Sequence, residues 1–310
     1  MEIKNESDKK SIESVVANLK EGQPDPAIVE AMLDKIIGRQ PLKICVAEKL
    51  LSVLKSEGMS DDVFVAILKK IYLSDWDEEL DEYDIDGCDF MDALSEVIAN
   101  NVKSKKLLCR LSEDKELIIS SSERIPEALA MNKNTSADAL IRLSKWEFTD
   151  FDREKDFWVE LASNDSNVPE YLLLESIAEH GYVDVIGPAL ENPRLTGDML
   201  HKIVIDKKCE WLLSGYSYNI LDNPNVRADT LALLLEDESP EFIADRLVKH
   251  KNTDEVLLRK ITAMSPDTRV KRAIAGNPKT PADILNRLLQ DDDGGVREAA
   301  EGNLNLSTDR

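Results

Sequence analysis

The chain has 310 residues, 42 % of them hydrophobic and 5 % aromatic, and a formal net charge of -22. A charge of that sign repels polyanions and favours basic partners, so a general grip on DNA or RNA, which needs a Lys/Arg footprint, is excluded as the main activity. No run approaches the ~18 apolar residues of a membrane span, and the first residues, MEIKNESDKKSIES, hold no apolar signal segment.

Two amphipathic helices are expected near Lys10–Lys20 and Pro26–Ile37, the second with Ile28, Met32, Ile36 and Ile37 on one side. Residues 1–40 read as a helical cap over the first apolar face of a repeat array. A helix pair comes next, over Leu42–Leu54 and Ser60–Tyr72. Ile44, Leu50, Leu51 and Leu54 form its first stripe, and Ser60 before Asp61-Asp62 makes an N-cap with acids in the first turn.

From residue 100 onward one unit recurs, most clearly in RVKRAIAGNPKTPADILNRLL at 269–289. A slot holds Asn100, Asn132, Asn164, Asn192, Asn223, His250, Asn277 and Asn303, spaced by 32, 32, 28, 31, 27, 27 and 26 residues, within the range of stacked helical repeats. Eight residues after the slot stand Leu108, Leu140, Leu172, Leu200, Leu231, Leu258 and Leu285. Eleven after it stand Leu111, Leu143, Ile203, Leu234, Ile261 and Leu288, with Glu175 breaking the rule. Three residues apart, the two positions share one helix face.

The slot chemistry predicts a helix stop. Asn192, Asn223 and Asn277 precede proline, which pushes them out of the α region, and their amides can bond backbone groups opened by the stop. Thr135, Thr253 and Thr280 are then expected as N-caps of the second helix, with Pro281 at N1. Asn132 fills the same structural role. The expected fold class is all-α, a right-handed α-solenoid of stacked helix-pair repeats over residues 41–310.

VKRAIAGNPKTPADILNRLLQD and the VREAAEGN after it resemble the bacterial leucine-rich repeat variant family, whose pattern is V-R-x-A-x-A-x-N-P-x-T-P-x-x-L-x-x-L. The resemblance is good over Arg269–Asn303 and extends back to about Asn132; before that, HEAT-like helical repeats describe the chain equally well. It implies a right-handed superhelix of α and tighter helices. Some family members bind an iron–sulfur centre through an N-terminal cysteine cluster; here that region holds only Cys45, so no cofactor is carried over.

Two insertions interrupt the array at the same type of connection, residues 73–90 and 145–157. The first carries Asp75, Asp77, Glu78, Glu79, Asp81, Glu82, Asp84 and Asp86 with Trp76 and Tyr83, and no Lys or Arg among them. The second brings Trp146, Phe148 and Asp150, and the connection at 206–218 brings Trp211, Tyr216 and Tyr218. Insertions on one edge of a repeat array often form its binding face, so these residues are the candidate partner contacts: aromatic anchors within an acidic pad. The alternative for the acid run is a solvated loop. Its resemblance to a calcium loop fails, because Ala93 stands where a bidentate Glu is required.

No catalytic or metal constellation emerges. His180, His201 and His250 lack metal spacing, and no phosphate-binding glycine loop or nucleophile elbow occurs. Cys45, Cys88, Cys109 and Cys209, widely spaced, fit reduced thiols of a cytoplasmic protein. The sequence thus predicts a non-catalytic, cofactor-free scaffold or adaptor for a basic protein. The alternative is an acidic immunity- or antitoxin-type inhibitor occluding a cationic toxin, nuclease or nucleic-acid-binding protein; a HEAT-like DNA-repair enzyme is a remote third.

Overall fold

The computed structural model describes residues 31, 44–55, 59–73, 87–179, 183–206, 210–237, 240–264 and 267–308. These residues form eighteen helices and no strand. The expected cap over 1–40 lies outside them, apart from the helical Ala31. The chain divides into two compact units, Met1–Leu172 and Leu173–Arg310.

The first unit holds α1 (Ile44–Leu54), α2 (Asp61–Tyr72), α3 (Gly87–Asn101), α4 (Lys105–Leu111), α5 (Lys115–Ser120), α6 (Arg124–Met131), α7 (Ala137–Leu143), α8 (Phe151–Ser163) and the start of α9 (Glu170–Ala178). Here α3, α6 and α8 pack side by side in one row, and α4 packs on α7 in another. The second unit holds the rest of α9, then α10 (Val183–Glu191), α11 (Gly197–Ile205), α12 (Glu210–Asp222), α13 (Ala228–Asp237), α14 (Pro240–Lys249), α15 (Glu255–Ala263), α16 (Thr268–Gly276), α17 (Ala282–Leu288) and α18 (Gly294–Thr308). Its rows are α10-α12-α14-α16-α18 and α11-α13-α15. Each unit is thus a stack of helix pairs in which every repeat buries its apolar stripe on its neighbours.

The periodic leucines form the core. All seven residues eight places after the slot are buried, as are all six apolar residues eleven places after it. Ser60 caps α2, its hydroxyl accepting the Val63 N–H at 3.4 Å.

Asn132, Asn164, Asn223, Asn277 and Asn303 do more than mark the repeat: their side chains reach back to the preceding repeat. Asn132 Nδ2 donates to the Ile98 and Val102 carbonyls at 2.6 and 2.9 Å, and Asn164 Nδ2 donates to that of Ala130 at 2.7 Å. Asn223 Nδ2 donates to the Leu190 and Asn192 carbonyls at 2.7 and 2.8 Å, and Asn277 Nδ2 to that of Val248 at 2.6 Å. Asn303 Nδ2 bonds the Ala275 and Asn277 carbonyls at 2.9 and 2.6 Å. Meanwhile the Oδ1 atoms of Asn132, Asn192, Asn223 and Asn277 each accept the backbone N–H two residues on, at 2.8–2.9 Å. One carboxamide therefore ties its own turn and clamps the turn below, satisfying carbonyls that the helix end leaves open.

A second column of rungs runs beside the first. Asn225 Nδ2 donates to the Pro193 and Leu195 carbonyls, Asn252 Nδ2 to those of Pro224 and Val226, and Lys279 Nζ to those of Lys251 and Thr253, at 2.6–3.1 Å.

Three expectations are corrected. Thr135, Thr253 and Thr280 are not the N-caps; Ser136, Asp254 and Pro281 hold those positions. The threonine N–H instead closes the turn onto the slot carbonyl, which turns its side chain into the core, where Thr280 Oγ1 donates to the Ile274 carbonyl at 2.6 Å and Thr253 Oγ1 to that of Leu247. Asn100 does not occupy the slot. There α3 continues through it to Asn101, and Val102 supplies one of the two carbonyls that Asn132 meets. The expected connection at 206–218 is helix from Glu210 onward.

Candidate partner-binding edge

The repeats ending at Asn132 and Asn164 carry their extra length in two places that meet. The first is α5 and the turn after it. Ser122 N–H bonds the Ile119 carbonyl and Glu123 N–H that of Ile118, both at 3.0 Å, the pattern of a helix end closed by a left-handed residue. Glycine is the usual residue there; here Ser122 and Glu123 adopt φ of 51° and 61°. A left-handed residue with a Cβ costs about 1–2 kcal/mol, so something must hold this turn.

The holding group is the Glu123 carboxylate, 4 % exposed. The second extra segment, residues 144–150, folds over it. Trp146 Nε1–H donates to Glu123 Oε1 at 3.2 Å, Thr149 N–H to both carboxylate oxygens at 3.0 Å, and Asp150 N–H to Oε2 at 3.2 Å. A carboxylate removed from water needs such donors, and backbone N–H groups of the loop supply them. Phe148 lies against the buried Phe157, ring centroids 5.3 Å apart. Asp150 caps α8, accepting the Asp152 and Arg153 N–H groups at 2.9 and 3.3 Å.

Of the predicted contacts, the structure thus brings Trp146, Phe148 and Asp150 into one ordered loop. Trp146 and Phe148 are half-buried and turned toward the protein, so they act as the loop's anchors, while Glu147, Asp150, Phe151 and Asp152 stand outside. Phe151 is 61 % exposed. Asp75, Trp76, Asp77, Glu78, Glu79, Asp81, Glu82, Tyr83, Asp84 and Asp86 lie outside the described residues, as does the Trp211 side chain on α12. Tyr218, also on α12, lies under the Arg246 guanidinium, 4.7 Å from the ring centroid. Sequence reasoning missed Glu123 and Phe151. Nothing local marks an acid after two serines as a buried anchor, whereas Phe151 could have been found as the first helical residue after an Asp cap.

Acid crowds the adjoining helix row. Glu127 on α6 pairs with Arg153 on α8 at 3.2 Å, and Asp92 on α3 with Arg124 on α6 at 3.1 Å. Burial holds the Glu127 carboxyl above its usual range, with the Asp156 charge adding to it. Glu160 is raised too, by burial first and then by Glu127 and Asp156. Burial and neighbouring carboxylates together thus disfavour the charged forms on this flank, where Arg124 and Arg153 are the paired cations.

A cleft of about 490 Å³ opens between the α1–α2 and α3–α4 connections, lined by Leu54, Met59, Phe64, Val102, Lys103 and Leu107 among others. It lies where Val102, having no side-chain donor, leaves the column of rungs unextended. No helix among the described residues is long and apolar enough to cross a membrane.

No family model matches the chain. No curated protein matches it either. Among solved structures it is similar to the crystal structure of an engineered protein, at 13 % identity over 95 % of this chain and 98 % of that one, with a TM-score of 0.39.

Proposed function

We propose that the protein is a non-catalytic, cytoplasmic binding scaffold of the leucine-rich repeat variant type, whose acidic edge receives a basic protein. The observation that carries this reading is the 144–150 loop. Its ordered state, fixed on Glu123, holds the exposed Phe151 among Glu147, Asp150 and Asp152. An exposed aromatic beside three acids suits a desolvated contact with a complementary rim. The chain's charge of -22 supports long-range attraction of such a partner. The asparagine turns support the family resemblance, since N-P turns are its signature.

The test is affinity capture from the source cell, at low and high salt, with wild type and two variants. One carries Glu147→Gln, Phe151→Ala and Asp152→Asn; the other changes the acids at 75–82 to their amides. A basic protein held by wild type at low salt and lost from the first variant supports this edge. Loss from the second variant alone moves the contact to the 73–90 segment. Equal capture by all three refutes the reading. A single partner bound at nanomolar affinity with salt-sensitive association would make the protein an acidic inhibitor instead of a scaffold.

A further inference from the structure

One rung differs from the rest. At the position where other repeats carry asparagine, the turn between α14 and α15 carries His250. Its Nε2 lies 3.2 Å from the Asn223 carbonyl oxygen, and its Nδ1 lies 3.1 Å from the backbone nitrogen of Asn252. A carbonyl can only accept and a backbone N–H can only donate, so these partners fix the ring as the neutral tautomer with its proton on Nε2. In that form imidazole copies the carboxamide: Nε2–H replaces the Nδ2 donor that clamps the turn below, and the Nδ1 lone pair replaces Oδ1. Asparagine does this at any pH. Histidine does it only while neutral, because a proton on Nδ1 faces the Asn252 N–H and the two donors lose their bond.

The surroundings bias the ring toward neutrality. Lys251 is its chain neighbour. Lys279, on the next turn, sits close by with its ammonium on the Lys251 and Thr253 carbonyls at 2.7 and 2.9 Å. The opposing charge is Asp222 at the end of α12, already engaged by Arg246 at 2.9 Å. Burial first, then the two lysines, hold the imidazole below its ordinary range; the Asn223 carbonyl and Asp222 oppose this without reversing it.

We propose that His250 is a pH-sensitive rung. Acidification below the ordinary histidine range unhooks the 250–253 turn from the 223–226 turn, and with it the Asn252 amide that clamps the Pro224 and Val226 carbonyls. The unfolded chain takes up the proton before the folded one. The rung's stabilisation is therefore complete above about pH 6.5, the ordinary histidine value, and declines as pH falls through the lower folded value. The second unit loosens between α12 and α14, while the asparagine rungs on either side hold.

The test is a histidine-selective ¹⁵N NMR titration of the full chain, with amide exchange measured over the same range on wild type and His250→Asn. Expected is an Nε2–H tautomer at neutral pH and a titration below that of an ordinary histidine. The Asn252 amide should lose protection in step, after correction for intrinsic exchange, by about tenfold for each unit separating the folded and unfolded values. His250→Asn should remove that acid-dependent loss and stay folded, since it installs the residue found in the other rungs. An Nδ1–H tautomer, a titration at or above the ordinary value, unchanged Asn252 protection, or an acid-dependent loss persisting in His250→Asn would each overturn the proposal.

Discussion

Asn223→Ala is the sharpest probe of what couples the repeats of the second unit. The side chain is fully buried. Its loss removes the Nδ2 donor from the Leu190 and Asn192 carbonyls, at 2.7 and 2.8 Å, leaving the Asn192 oxygen the Leu195 N–H alone, and removes the acceptor of the Asn225 N–H at 2.9 Å. At about 1 kcal/mol for each buried bond unmade, the cost is roughly 3 kcal/mol. With a urea slope of about 3 kcal/mol/M, the midpoint should fall by about 1 M. Asn223→Asp should be worse than alanine: it keeps the acceptor for Asn225 but sets a carboxylate oxygen against two carbonyls. Asn219→Ala is the control, since Asn219 makes an exposed bond to Glu191 at 2.7 Å and should cost at most about 1 kcal/mol. Equilibrium urea unfolding measures all three. If Asn223→Ala costs no more than Asn219→Ala, the rungs do not couple the repeats.

Glu123→Ala should free the 144–150 loop and red-shift emission from Trp146, while Glu123→Gln, which retains an acceptor oxygen, should shift it less; identical spectra would count against the anchor. Thr135 is buried and its hydroxyl has no hydrogen-bond partner among the described residues, so Thr135→Val should be neutral or stabilising in thermal unfolding, whereas Thr280→Val, losing the bond to Ile274, should cost about 1–2 kcal/mol. Gly197→Ala should destabilise, since a Cβ there would stand 2.6 Å from the Asn225 carbonyl oxygen, while Gly276→Ala, with nothing within 4 Å, should gain about 0.5–1 kcal/mol of helix stability. Glu160→Gln should stabilise at neutral pH. The raised carboxyl favours the folded state when protonated, so the gain should grow as pH rises from the unfolded value through the higher folded one and vanish below pH 4.5.

The repeat register was readable because burial imposes it. Leu200, Leu231, Leu258 and Leu285 must each face the core, and spacing alone reveals that. The rungs were only half readable. The Asn-Pro stop is local chemistry, but the carbonyls that Asn132 or Asn223 meets lie 30 to 34 residues back, and no neighbour in the sequence points to them. Asn225, Asn252 and Lys279 recur every 27 residues, yet an ammonium and two carboxamides look unrelated until their shared carbonyl acceptors are seen. Cap preference alone puts the N-cap one residue early, on the threonines, because the turn bond that commits their N–H to the slot carbonyl leaves no trace in local composition.

The candidate edge was legible in its exposed chemistry and hidden in its support. Acids and aromatics at 145–157 mark a surface, but only the structure separates the residues that hold the loop from those it displays. Glu123 illustrates why. Its backbone is strained, its carboxylate is desolvated, and either feature alone would be rejected in favour of glycine or a polar surface residue. Together they are mutually supporting, because the left-handed turn puts the carboxylate where the Thr149 and Asp150 N–H groups need an acceptor. An edge ordered in this way gives up little conformational entropy when it meets a partner. The cost of ordering is already met inside the fold, by Trp146, Phe148 and the Asp150 cap, which leaves Phe151 and its flanking acids displayed at the surface.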